Sequence, residues 1–206
     1  QFSEGNHSRL RPGDIKYRDL NGDGVIDDYD KMPIGFCDIP EITYGFGGAI
    51  EWKGFDVSIF FQGTARVSLF EEGSTIVPFS SGYKNNDGFL RGVMENRWTV
   101  DNPDPNARYP RTIRPSDALD NNNTKKSSFW VRNAAFLRLK NAEIGYTFPK
   151  RWMEKMAIQN LRLYVSGVNL LTWAPDVHLF DPDLGSGDGR KYPPTRVFNV
   201  GLNINF

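Results

Sequence analysis

The last ten residues of the chain alternate almost without error. Phe198, Val200, Leu202, Ile204 and Phe206 fall on one side of an extended backbone, and Asn199, Gly201, Asn203 and Asn205 fall on the other. A period of two specifies a β-strand. One fully apolar face opposite small and amide side chains fits a sheet packed on a core, or a barrel wall with lipid outside and water inside. A chain that stops on Phe206 favours the wall, because the termini of soluble domains usually fray at the surface.

The same period recurs upstream. Tyr44, Phe46, Ile50 and Trp52 share one parity, and after Lys53-Gly54 so do Phe55, Val57, Ile59 and Phe61. A two-residue turn with glycine second between such runs predicts a hairpin over 42–63. Each arm has about ten residues, enough to cross a bilayer at the usual tilt. Trp52 and Phe55 flank the turn where an aromatic girdle would lie. Gly45-Phe46-Gly47-Gly48 lacks a third glycine and lies inside a strand, so it is no dinucleotide loop. A strand is predicted within 129–148, where Ala142, Ile144, Tyr146 and Phe148 share a parity that Leu137 and Leu139 oppose. That conflict predicts a bulge near Lys140-Asn141, or else Arg138 and Lys140 facing outward at headgroup level. Leu161 to Trp173 reads as a further strand, and Lys150 to Ile158 as a short amphipathic helix. Leu90–Trp98 reads as another short helix.

This makes five strands, joined alternately by short (53–54), long (64–128), short (149–160) and long (174–194) connections. A 65-residue irregular stretch is unusual inside a compact domain. It is ordinary on one side of a membrane barrel, where turns are short and loops long. The expected class is all-β: antiparallel strands of a transmembrane barrel. Five strands cannot close a barrel, and open edges are not viable in lipid. The outer two strands are therefore expected to pair with further chain.

Composition narrows the choice. The 206 residues carry 25 basic and 25 acidic side chains, which argues against nucleic acid as a partner. No uncharged stretch reaches the length of a transmembrane helix. The single cysteine, Cys37, forms no internal disulfide. The chain opens on Gln1 without an initiator Met or a signal-like apolar region, so an exported protein would be represented here by a piece.

One motif carries metal chemistry. Asp19, Asn21 and Asp23 occupy positions 1, 3 and 5 of a calcium loop, and Gly24 is the turn glycine at position 6. Val25 offers its carbonyl at position 7, Asp27 stands at 9 and Asp30 at 12. Alternate spacing turns every second oxygen toward one hard cation. Asp30 replaces the usual bidentate Glu, and no helices flank the loop, so a structural calcium is expected on a stand-alone loop. Trp98, Arg108, Tyr109 and Arg111 could stack and hydrogen-bond on a sugar or peptide, or could simply pack their loop. His7 and His178 lack metal-ligand partners, and no nucleophile elbow is present, so no enzyme is expected.

Taken together, Gly13-Asp14-Ile15-Lys16-Tyr17-Arg18-Asp19-Leu20-Asn21-Gly22-Asp23-Gly24, Tyr44-Gly45-Phe46, Lys53-Gly54-Phe55-Asp56, Leu137-Arg138-Leu139-Lys140-Asn141, Gly145-Tyr146-Thr147 and Val165-Ser166-Gly167-Val168-Asn169-Leu170 resemble the SusC/RagA family of TonB-linked outer-membrane transporters. The family often has Gln where Val168 stands. The resemblance implies the C-terminal five strands of a 22-stranded barrel. It places 1–41, with its calcium-binding turn, 64–128 and 174–194 as extracellular loops. It places 42–63 as a transmembrane hairpin, 129–173 as two transmembrane strands with a periplasmic connection, and 195–206 as the closing strand. It also implies the remainder of the barrel and a plug, a SusD-like surface lipoprotein, TonB, and an oligosaccharide or peptide substrate, in the cell outer membrane. The competing expectation is a secreted, calcium-stabilised β-sandwich serving as a carbohydrate-binding or adhesive module.

Overall fold

The structure is a computed structural model that describes residues 10–73, 76, 90–112, 122–152, 158–187 and 189–206. The chain falls into two units. The first combines 1–36, 69–132 and 185–190, and the second combines 37–68, 133–184 and 191–206. In chain order the strands are β1 (Ile42–Trp52), β2 (Phe55–Ala65), β3 (Ser68–Phe70), β4 (Val131–Asn133), β5 (Phe136–Thr147), β6 (Asn160–Trp173) and β7 (Val197–Asn205), with one helix, α1 (Arg91–Glu95).

The second unit is built on one five-stranded sheet in the order β1-β2-β5-β6-β7, every neighbouring pair antiparallel. Register turns the period of two into continuous rows. Ile50, Val57, Ile144, Val165 and Val200 lie side by side across all five strands. Two residues away, Trp52, Phe55, Tyr146, Leu163 and Leu202 form the next apolar row. The alternate positions give Ala49, Ser58, Glu143, Ser166 and Asn199 on the opposite face. The apolar face is open: Ile50 is 73% exposed and Val200 76%. A sandwich would cover this face with a second sheet, so the secreted-sandwich expectation fails on this geometry.

Aromatic residues gather at both ends of the apolar face. At the short-turn end, rings follow one another from Phe55 to Tyr146 (4.6 Å), Phe148 (5.0 Å) and Trp152 (6.0 Å). At the other end, Phe46 and Phe61 stack at 5.2 Å, and Trp173 lies 6.4 Å from Phe61. From the Tyr44 row to the Trp52 row, a rise of about 3.4 Å per residue and a tilt of about 40° give roughly 20 Å. That is close to the apolar band of outer-membrane barrels.

The parity conflict in β5 is settled by a bulge. Phe60 pairs with Asn141 but Phe61 with Leu139, so Lys140 is the extra residue. Leu137 and Leu139 thereby share the apolar face with Ala142, Ile144 and Tyr146. Arg138 falls on the polar face and does not face outward at headgroup level. β2 runs to Ala65, two residues beyond the expected hairpin. The strand expected within 129–148 is two strands, the short β4 and then β5.

The first unit is organised differently. The expected irregular stretch 64–128 contains β3 and α1, and β3 pairs with β4. Its core holds Leu69, Val93, Tyr109 and Trp130, each at most 3% exposed. A buried amide network sews distant segments together. The Asn123 side chain accepts from the Ile15 amide (2.9 Å) and donates to Asp14 (2.8 Å), while Asn122 donates to the Ile15 carbonyl (2.9 Å). Of the two expected short helices, α1 occupies part of Leu90–Trp98. The other shows one 3-10 turn, Lys150–Trp152, and residues 153–157 lie outside the described residues.

Candidate functional site

The acidic loop is wound by its own side chains. Asp19 accepts the amides of Gly22 (2.6 Å) and Gly24 (2.8 Å), and Asp23 accepts that of Val25 (2.8 Å). Asp30 closes the ring by accepting from Leu20 (2.6 Å) and Asp27 (2.9 Å). Those amides hold the Asp30 carboxyl below its ordinary value. Gly22 and Gly24 take positive φ (79° and 85°), where side chains are strained. Ile26 is buried, as expected of position 8. Asn21 donates to Asp23 at 2.8 Å, and Asp27 caps the 3-10 turn that follows. Among the described residues, no three Asp, Glu, His or Cys groups converge at metal-ligand distance. The oxygens of Asp19, Asp23, Asp27 and Asp30 are thus directed mainly at backbone amides, which winds the loop.

The four aromatic and basic residues considered for ligand stacking are committed to packing. A Cβ at Gly13, whose φ is +89°, would overlap the Trp98 ring, so that glycine is what lets the indole lie flat on the backbone. Tyr109 is 2% exposed. Arg111 pairs with Asp14 at 2.5 Å. Arg108 and Arg132 approach Glu71 at 3.7 and 2.9 Å, and Tyr109 donates to the same carboxylate at 3.4 Å. The Glu71 side chain is wholly buried, and loss of water pushes its carboxyl up despite the two arginines. All four residues thus make packing or ion-pair contacts; Tyr109 is buried, and Trp98, Arg108 and Arg111 keep part of their surface exposed.

On the sheet, charge is confined to the polar face. Arg162 of β6 reaches across two strands, contacting Asp56 of β2 and donating to Glu143 of β5 at 2.6 Å. Gly145 lies beneath that guanidinium, where a Cβ would strike it at 2.5 Å. Near the long-loop end, Arg138 is 2% exposed. It donates to both Asp181 oxygens (2.6 and 2.7 Å), to Asp183 (2.7 Å) and to Thr172 (2.9 Å). These bonds tie the turn Pro182–Leu184 to the wall. The sequence shows Arg138 and the Asp181-Pro182-Asp183 run, but their meeting depends on the bulge and on a loop closing over it. The site is therefore a two-solvent wall: a greasy face with aromatic rims, backed by a hydrogen-bonded, charged face.

Relatives share this arrangement. No protein-family model matches the chain. Two TonB-dependent receptors of Formosa agariphila, P26 and P3, are 30% and 31% identical over 94% and 95% of this chain. The TonB-dependent receptor SusC of Bacteroides thetaiotaomicron is 26% identical over 95% of it. This chain spans about a fifth of those relatives (20%, 19% and 18%). Among solved structures, the RagAB peptide transporter superposes over 88% of this chain and 19% of its own, with a TM-score of 0.62 at 22% identity. The RagAB peptide importer in its closed-closed state superposes equally widely with a TM-score of 0.63. At that identity the likeness speaks for the fold alone. Fold and sequence relatives agree: along nearly its whole length the chain is similar to TonB-dependent receptors, SusC among them, and its sheet has the fold of five neighbouring strands of a barrel wall.

Proposed function

We propose that this chain is part of a TonB-dependent importer that takes up oligosaccharides or peptides together with a SusD-like surface lipoprotein. The observation that carries the reading is the unbroken apolar row Ile50–Val57–Ile144–Val165–Val200, exposed on one face of a sheet whose other face holds Arg162, Asp56 and Glu143. Such a wall separates lipid from an aqueous, protein-filled lumen. A plug in that lumen and a TonB-contacting segment belong to the remainder of the protein. The relatives named as TonB-dependent receptors support energised uptake, and the RagAB neighbours, named as peptide importers, support a peptide substrate as one of the two classes. The test is to purify the intact protein from outer membranes and ask whether a surface lipoprotein accompanies it. A deletion strain should lose growth on oligosaccharides or on peptides as sole nutrient. Co-purification of a lipoprotein together with such a growth defect is the expected result. A protein found alone, whose loss leaves both uptakes unchanged, would overturn the reading.

The loop of Asp19, Asn21, Asp23, Val25, Asp27 and Asp30 is proposed to take a structural calcium. Ligand spacing supports it, as do the positive-φ glycines Gly22 and Gly24 that let so short a loop turn back on itself. Calcium should raise the melting temperature of the intact protein, and Asp23→Ala should abolish that rise. Identical calcium responses in the two proteins would remove the ion from the account.

A further inference from the structure

The two aromatic rims of the wall differ in their charge. At the long-loop end two cations near the rings are matched, Arg66 with Glu41 at 2.5 Å and Arg138 with Asp181 and Asp183. At the short-turn end three cations stand exposed with no anionic partner among the described residues. Lys53 holds its ammonium 4.8 Å over the Trp52 ring, and Lys150 and Arg151 lie on the 3-10 turn beside Trp152. The local backbone brings them together. Gly54 accepts the Thr147 amide at 2.7 Å, so the hairpin tip abuts the chain just before Phe148, Pro149 and Lys150. A side chain at Gly54 would strike the Thr147 carbonyl, so the turn's closeness depends on that glycine. Below the cations runs the ladder Phe55–Tyr146–Phe148–Trp152, with Trp152 itself 57% exposed. Of the acids nearest in sequence, Glu51 and Asp56 flank Lys53 and point to the other face of the sheet, and Glu154, which follows Arg151, lies outside the described residues.

We propose that this rim is a docking site for the phosphate of an anionic glycerophospholipid. Its acyl chains would lie along the Trp52 and Ile50 rows, and its headgroup among Lys53, Lys150 and Arg151. The inference rests on the membrane-wall reading above. Rings that are apolar on one side and wet on the other sit at the headgroup level, and long cationic side chains reach up from them to phosphate. Each such cation near an anionic surface adds to the attraction, and three acting together favour an anionic headgroup over a zwitterionic one.

The test uses the intact receptor, purified and delipidated in detergent, with phosphatidylglycerol and phosphatidylcholine titrated separately and bound lipid counted by native mass spectrometry. Wild type should prefer phosphatidylglycerol. The triple variant Lys53→Gln, Lys150→Gln, Arg151→Gln should weaken that binding by about tenfold or more while leaving phosphatidylcholine unchanged. The charge-conserving set Lys53→Arg, Lys150→Arg, Arg151→Lys should keep the preference, and inorganic phosphate should not compete. Heat-dependent gel mobility identifies the folded barrel in every sample. Equal affinity of wild type for both lipids, an unchanged triple variant in folded protein, or displacement by inorganic phosphate would each overturn the proposal. A protein absent from outer-membrane fractions would instead overturn the wall reading beneath it.

Discussion

Val93 and Val200 are the same side chain in opposite surroundings. Val93 is 1% exposed inside the first unit, and Val200 is 76% exposed on the sheet. The contrast extends to charge. In the first unit Glu71 is sealed away against Arg132, with the partly exposed Arg108 at 3.7 Å, whereas on the sheet Arg162 keeps its carboxylate partners on the polar face. Among its described residues the first unit obeys the rule for water, apolar inside with the buried Glu71 and Arg132 paired. The sheet obeys the rule for a bilayer, apolar outside with polar groups turned away from lipid. One chain thus folds against two solvents, and the solvent decides what each apolar residue is worth.

Four substitutions separate these regimes. The largest effect is expected from Glu71→Ala, which leaves two arginines facing a buried space without their anion. It should destabilise the first unit by about 3–5 kcal/mol, read by chemical denaturation of the intact protein. A loss within about 0.5 kcal/mol would mean the cluster is solvated. Next is Val200→Arg, which should cost about 2–4 kcal/mol in urea titrations of the protein folded into lipid vesicles. Asn203→Arg, on the water-filled side of β7, should cost much less, and equal costs would reverse the faces. Arg138→Met removes the cation between Asp181 and Asp183. It should release the turn Pro182–Leu184, seen as faster proteolysis there, with the barrel's heat-dependent mobility unchanged. Protection equal to wild type would show that Arg138 does not hold the turn.

The smallest effect is a pH dependence. Burial raises the folded-state pKa of Glu71 above its ordinary 4.5. A carboxyl raised on folding binds its proton more tightly folded than unfolded. Its stabilising contribution is therefore full below that ordinary value and is lost as pH rises through the folded value. Relative to Glu71→Gln, wild type should weaken as pH climbs from about 4.5. A difference that stays flat with pH would show that the two arginines outweigh desolvation.

The five long strands were legible because each carries several cycles of a period-two pattern, and one residue of slip would have moved Val200 or Ile144 into water. The bulge was legible too, as the break in parity between Leu139 and Ala142. β3 and β4 were not, since three residues hold too little of any period. The Trp98 contact with Gly13 and the meeting of Arg138 with Asp181 were equally hidden, because each joins segments far apart in sequence. The loop Asp19–Asp30 was visible as a pattern of oxygens. Which of those oxygens would be turned toward amides is a matter of backbone winding that spacing alone does not encode.

Lys140 is a spare residue in the stave of a cylinder, and it acts as a phase shifter. Removing it would force one half of β5 to rotate by half a pleat, carrying either Arg138 into hydrocarbon or Ile144 into the lumen. Single-residue deletions here should therefore arrest assembly of the whole barrel, while length changes in the connection 174–194 should pass unnoticed by the membrane.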